Sequence, residues 1–469
     1  MAGEASPLVS ESTEVAEMDA VQRRPPKPLR QMLQRLLIFM IVSGIIVNSV
    51  NILTTKYFIN HQRPGWQYSN LYWVSCLARH RQGADSMWQM LAAIEFHAAN
   101  PEASIYDSIF YKDHIKFQYS LASLLPYYTL TQWGATYRNL RNISMIATWF
   151  SVWITLAITV IISMRASGID HRRPRNWLNN ALMVLTVGLG VIFFNPLCKS
   201  FGLGQIQTIL TLGFTISFYC WMTGREKTAG ALLGVIALVK PQYALFLVSA
   251  LLRKRYGTLL SCATCLLLGM LISCLVFGWH NNWEYLDVLK TIGRLGESYI
   301  PNQSMNGLLN RLLFNGNNLA WDSQNYAPYH PVVYVGTLLS SILLIGFALF
   351  FPWGDRRRGA ADFACFGLAA TMASPVAWDH HYGILVPILA WLWFGDYAWR
   401  NNQREVLLIG LAYFLTSNVL VPTSAVAAIP LVNIVQSYVY IGAFLTILLL
   451  VRSRADTSQA QHPYPAPIG

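Results

Sequence analysis

The chain has 469 residues, of which 54% are hydrophobic and only 12% charged, with a formal net charge of +12. A soluble domain carries about 25% charged residues, so the two or three soluble domains that the length would allow are excluded. The positive excess does not point to nucleic acid, because Lys and Arg cluster at the ends of long apolar runs, where membrane proteins place their basic cytoplasmic connections.

In lipid each apolar run must satisfy its own backbone hydrogen bonds, which makes it a helix. The runs do not alternate as barrel strands would. The expected fold is therefore an all-α polytopic membrane protein. Residues 1–33 form a polar cytoplasmic tail bearing Arg23, Arg24, Lys27 and Arg30, expected to be disordered. The first run, from Leu36, reads as a signal anchor and not as a cleavable leader. At about 20 residues per crossing, the spans fall near 36–57, 143–164, 178–196, 205–223, 228–240, 241–252, 258–278, 331–351, 360–375, 381–397, 405–421 and 431–451. This gives about twelve helices within a membrane domain of 34–452. The connections assigned to the cytoplasm all carry Lys or Arg: Arg165 to Arg175, Arg225 to Lys227, Arg253 to Arg255, Arg356 to Arg358, Arg400 to Arg404, and the tail at 453–469. Residues 228–252 are too few for two full crossings, yet both flanks are basic. A hairpin of short helices turning at Lys240-Pro241 reconciles the two facts, since proline breaks a helix and drives its predecessor out of the α region. One long kinked helix is the alternative.

Two long outer loops remain, 58–142 and 279–330. Within the first, the apolar stretch 115–134, with Pro126 and several tyrosines, reads as an interfacial or re-entrant helix. The seven cysteines show neither metal-ligand spacing nor a disulfide framework. A bridge between Cys76 and Cys198 is the one pairing suggested.

Ionisable and polar residues at the membrane edge are candidates for function. Asp85, in Ala84-Asp85-Ser86-Met87-Trp88, can take a proton from an acceptor hydroxyl, or it can cap the helix that follows. The turn Gly202-Leu203-Gly204 before Gln205 can seat a phosphate or head group at a helix N-terminus, or act as a plain turn. Lys240, inside an apolar run beside a helix break, either meets a phosphate or snorkels to the interface. Asn302, Gln303 and Asn306, with Arg311 after them, can grip sugar hydroxyls or phosphate, or form an ordinary polar loop. Trp378-Asp379-His380-His381-Tyr382 gathers an acid and two imidazoles at the ends of two spans. Adjacent histidines on a helix point apart, so no metal pair is expected there.

Taken in order, these segments resemble glycosyltransferase family 87, membrane enzymes of the GT-C fold that take sugars from polyprenyl phosphates. The family includes phosphatidylinositol-mannoside mannosyltransferases and arabinofuranosyltransferases. The matching pieces are Asp85 with its helix, Ile105-Tyr106-Asp107, Phe117-Gln118-Tyr119, Gly204-Gln205, Ala229-Gly230 through Lys240-Pro241, Asn302-Gln303-Ser304 through Gly307, and Ser374-Pro375 through His380-His381. Ser86-Met87-Trp88 replaces the aromatic run common after the Asp. Ser120 stands where a Pro is common, and Asp379 follows Trp378 where Ser is frequent. These departures bear on the sugar and the acceptor more than on the reaction.

The resemblance implies an inverting transferase of mannose or a similar monosaccharide, acting without metal or cofactor on the outer face of the cell membrane. The donor would be a polyprenyl-phosphate sugar and the acceptor a glycolipid or glycan, both reached from the membrane lipid. Asp85 would be the general base. Lys240 and Arg311 would face the leaving phosphate, and His380 or His381 would position the reacting groups. Tyr119, Gln205, Asn302, Gln303, Asn306, Trp378 and Asp379 would line the donor and acceptor sites. A transporter or flippase of a lipid-linked sugar is the rival. Against it, the chain shows no internal repeat and a single broken helix, where transporters usually pair such breaks.

Overall fold

A computed structural model describes residues 29–58, 69–168, 176–351, 359–396 and 403–457. The expected tails lie mostly outside these residues, although helix α1 (Leu29–Phe58) already begins at Leu29. After it come α2 (Asn70–Ala78) and α3 (Asp85–Ala99), a π-helical turn at Asp107–Lys112, a 3-10 turn at Leu121–Leu124 and α4 (Leu125–Gln132). Next are α5 (Tyr137–Ala166), α6 (Trp177–Ile192), α7 (Asn195–Leu203), α8 (Gln207–Met222) and α9 (Glu226–Val239). A 3-10 turn, Pro241–Ala244, leads into α10 (Leu245–Leu252). Then follow α11 (Tyr256–Phe277), α12 (Trp279–Leu295), α13 (Met305–Leu312), α14 (Pro331–Phe350) and α15 (Ala360–Met372). The 3-10 turn Asp379–Ile384 opens α16 (Leu385–Gly395), and α17 (Gln403–Ser417) and α18 (Tyr438–Thr457) close the fold.

Each apolar run expected to be a span is largely helical among the described residues, but most of the twelve are too short to cross a membrane alone. Five helical segments are long and apolar enough to cross a membrane alone, and α6 with α7, bent by 53°, makes a sixth. The bend has a local cause: Pro196 sits in the first turn of α7, where its missing N–H is harmless, but it cannot continue α6. Leu260, Leu267 and Leu275 of α11 and Leu343 of α14 are exposed. Apolar faces of this kind belong in lipid, and the chain is an all-α, multi-pass membrane protein. Helix α15, in contrast, is buried from Ala361 to Met372.

The break at Lys240-Pro241 is a hairpin. Lys240 leaves the α region with φ −123° and ψ 94°, as a residue before proline does. A Cβ on Gly230 would strike Thr258 and Ser261, one on Gly234 would strike Cys262, and Gly269 faces Leu238. Contacts that advance together along both chains make α9 and α11 parallel, so the short segment between them must run back. The small residues let the two backbones approach closely. At the shared start of α9 and α11, Arg255 pairs with Glu226. Nearby, Arg253 grips both oxygens of Asp362 and donates to Ala348 O at 2.9 Å. Two of the basic connections expected on one side of the membrane, Arg225 to Lys227 and Arg253 to Arg255, thus meet at one end of the bundle.

Two local expectations change. Helix in the 115–134 stretch is confined to residues 121–132, while Phe117 and Tyr119 thread the interior as irregular chain. Cys76 and Cys198 are both free thiols; Cys198 Sγ donates instead to Ile192 O at 2.8 Å.

Candidate active site

At the opposite end of the bundle two turns cross backbone to backbone. Gly204 closes α7 with φ +75°, a left-handed value that glycine takes without cost. A Cβ there would collide with the Gly83 backbone. Gly83 N donates to Gly202 O at 2.9 Å. The N–H groups of Gly204 and Gln205 donate to Phe201 O and Ser200 O, and that of Ile206 to Ser86 Oγ. The glycine turn is therefore a crossing point between two chain segments, not the open phosphate nest that its pattern suggested.

The crossing sets Asp85 beside Gln205. Asp85 is the first residue of α3, with Ala84 in the cap position. Its half-buried carboxylate accepts from Gln205 Nε2 at 2.5 Å. Gln205 Oε1 accepts from Ser86 Oγ at 2.7 Å and from Tyr119 OH at 3.2 Å. With its oxygen held by two hydroxyls, the amide must turn its NH₂ toward the carboxylate. Burial pushes the Tyr119 phenol up, so it stays a neutral hydroxyl. Tyr106 OH donates to Tyr119 O at 2.6 Å and its ring stacks on Phe117. This contact joins Ile105-Tyr106-Asp107 to Phe117-Gln118-Tyr119. Asp107 itself is exposed and paired with Lys112.

Lys240 Nζ lies 5.7 Å from the centre of the Tyr119 ring and 3.0 Å from His381 Nε2. His381 and His380 meet edge to face at 4.9 Å, and Trp378 stacks along His380. Asp379 Oδ2 accepts from Lys199 Nζ at 2.6 Å, while Oδ1 accepts from the His380 backbone N–H at 2.8 Å and stands 3.5 Å from His380 Nδ1. Burial raises the Asp379 carboxyl, but the Lys199 ammonium and His380 outweigh it and hold the group down at about 2. Burial also lowers the His380 imidazole, only partly offset by Asp379. His380 Nε2 is buried without a hydrogen-bond partner. A contact chain thus runs Asp85–Gln205–Tyr119–Lys240–His381–His380–Asp379–Lys199.

The amide loop does other work. Asn302 pairs with Trp378 as an isolated antiparallel bridge. Its side chain donates to Glu297 O at 2.7 Å and accepts from Ala377 N at 3.0 Å. Gln303 bonds to Ile300 O and Gln436 O and receives Val439 N, and Asn306 receives Glu297 N and Asn310 Nδ2. Arg311 was expected to face a phosphate. It is fully buried, donating to Asn302 O at 3.0 Å and Ser437 Oγ at 2.7 Å. These residues are buried, and Asn302 bonds to the backbone on both sides of the 374–381 turn, at Pro375 O and Ala377 N. The buried Lys116–Glu297 pair, 2.9 Å apart, ties the first long loop to the second.

Lys199 was not singled out from the sequence, although a lysine in an apolar, Pro-capped helix must be paired or hydrated. Ser86, the hub of the Gln205 network, carried no such signal. Among the described residues no three His, Cys, Asp or Glu side chains converge as a metal set. The Asp379-His380-His381 turn is faced by the cations Lys199 and Lys240.

The model of glycosyltransferase family 87 matches residues 117–375, which is more than half of the chain. The chain is also similar to a polyprenol-phosphate-mannose-dependent alpha-(1-2)-phosphatidylinositol mannoside mannosyltransferase of Mycobacterium tuberculosis, at 26% identity over 51% of this chain and 52% of the relative. A polyprenol-phosphate-mannose-dependent alpha-(1-2)-phosphatidylinositol pentamannoside mannosyltransferase of Mycolicibacterium smegmatis is 25% identical over 55% of this chain and 59% of its own length. The chain spans about half the length of the curated relatives it matches. No solved structure gives a significant match. The chain belongs to glycosyltransferase family 87.

Proposed function

We propose that this protein is an inverting glycosyltransferase that moves mannose or a similar monosaccharide from a polyprenyl phosphate to a lipid or glycan acceptor. Asp85 carries the reading. Its carboxylate is half-exposed, is aimed by a single amide, and is linked through Tyr119 to a lysine at a helix break. Asp85 takes the proton from the acceptor hydroxyl as its oxygen attacks the anomeric carbon from the face opposite the phosphate. The bond from that carbon to the phosphate oxygen breaks, and its electron pair stays on the phosphate. Lys240, with His381 against it, supplies a fixed cation for that charge in a site largely closed to water. His380 Nε2 meets the donor or acceptor. Asn302, Gln303, Asn306 and Arg311 hold the turn that carries these histidines. The family membership and the donor named for both relatives support the donor class. In this reading the chain makes about twelve spans in a GT-C arrangement with the Asp85 end on the outer face of the inner membrane; the basic turns at Arg225 and Arg253, which lie at the other end, support that orientation.

The test uses the purified full chain in vesicles with radiolabelled polyprenyl-phosphate mannose and a membrane lipid extract. Transfer of label to a glycolipid with inverted anomeric configuration is expected. Movement of the donor across the bilayer without any transfer would replace this reading by the transporter.

A further inference from the structure

Helix α12 leaves the end of α11 at Gly278 and buries Asn281, Tyr285, Val288 and Ile292. Its opposite face exposes Trp279 and Trp283, whose rings stack at 5.9 Å. Exposed tryptophans at the end of a span sit at the membrane–water interface. Further along α12, Lys290 and Arg294 line a cleft of about 580 Å³ shared with Tyr334, Thr337 and Ser341 of α14 and with Pro375. Leu338 of α14 also lines the cleft and is exposed, as are its apolar neighbours Val335 and Leu339. Thr337 is buried, and its hydroxyl has no hydrogen-bond partner. A buried hydroxyl left unpaired costs free energy unless something enters to meet it.

From these observations we propose that the cleft between α12 and α14 binds the phosphate of an anionic lipid headgroup. Lys290 and Arg294 supply the charge, Thr337 supplies a hydrogen bond, and the acyl chains lie along α14 in the bilayer. Asp287 also lines the cleft and pairs with Lys290 at 2.8 Å. Both side chains are exposed, so the pair is weak, and the rim keeps one net positive charge. Arg294 lies over the Tyr329 ring at 5.2 Å, which holds its guanidinium at the rim. The proposal is independent of the reaction at Asp85.

The experiment is native mass spectrometry of the detergent-solubilised full chain, titrated with dioleoyl phosphatidylglycerol or with dioleoyl phosphatidylcholine. Each basic residue near an anionic lipid surface contributes about 1 kcal/mol. Phosphatidylglycerol should therefore give a saturable adduct that K290Q/R294Q weakens about thirty-fold and Thr337→Val weakens several-fold. R138Q/R141Q removes as much charge from the start of α5, away from the cleft, and should leave the adduct unchanged. Equal binding of phosphatidylcholine, or equal losses in the two double variants, would overturn the proposal. Displacement of the lipid by millimolar inorganic phosphate would do the same, because the ligand would then be a free anion.

Discussion

Gln205 Nε2 donates to Asp85 Oδ2 at 2.5 Å across a separation of 120 residues. That bond bears on the two readings of Asp85. The cap position belongs to Ala84, and the carboxylate accepts from a side chain of another helix junction. Asp85→Asn should therefore lower transfer on the order of 10²- to 10⁴-fold, the usual contribution of a general base, with folding and membrane insertion retained. Asp107→Asn, at an exposed ion pair, should keep normal turnover. An Asp85→Asn protein with wild-type turnover removes the base from the mechanism.

The backbone crossing under Asp85 has its own test. Gly204→Ala forces a Cβ into a left-handed position at a cost of about 1–2 kcal/mol and pushes it against Gly83. Thermal stability should fall by at least that amount. Turnover should fall about tenfold or more, because the Gln205 amide no longer aims the carboxylate. Gly224→Ala, also at positive φ but with open space around it, should show the stability loss alone.

Lys240 is held between the Tyr119 ring and His381. If it meets the leaving phosphate as a point charge, Lys240→Arg keeps a measurable part of the turnover and Lys240→Met keeps almost none. Equal rates in the two variants would show that the position needs only an aliphatic stem.

The hairpin at Lys240-Pro241 was legible because proline acts on its own neighbours, and the basic flanks reported its direction. Lys240 was legible as a lysine inside an apolar run, Asp85, His380 and His381 as ionisable residues near the membrane edge, and Gln205 as the residue after a glycine turn, while Tyr119 entered only through the family resemblance. How they meet was not legible, because Tyr119 reaches Gln205 only through a chain crossing that depends on Gly83 and Gly204. The loop around Asn302 was ambiguous for a related reason. Amides and an arginine look the same in sequence whether they bind a sugar or satisfy buried carbonyls, and here Arg311 and Asn302 do the latter. The runs expected at 241–252 and 381–397 open with 3-10 turns, Pro241–Ala244 and Asp379–Ile384, which the apolar pattern does not distinguish from α-helix.

The Lys199–Asp379 pair makes the most demanding prediction. Lys199 is 16% exposed and Asp379 6%, so removing one partner strands a buried charge. That costs about 3–5 kcal/mol, whereas replacing both by apolar residues is often neutral. Asp379→Asn should lower the melting temperature sharply, and K199M/D379L should restore most of the loss. The pH dependence follows from the folded carboxyl lying near 2 against an unfolded value of about 3.9. The folded state binds this proton more weakly, so the stabilisation is fully present above about pH 4 and disappears as pH falls toward 2. The melting gap between wild type and Asp379→Asn should be constant above about pH 7 and should narrow below pH 4. The carboxylate also raises the His380 imidazole, so Asp379→Asn should shift the His380 titration downward in histidine-labelled NMR spectra. A gap that persists unchanged to pH 2, or a double variant no more stable than the single one, would mean that the pair does not hold His380 in its place.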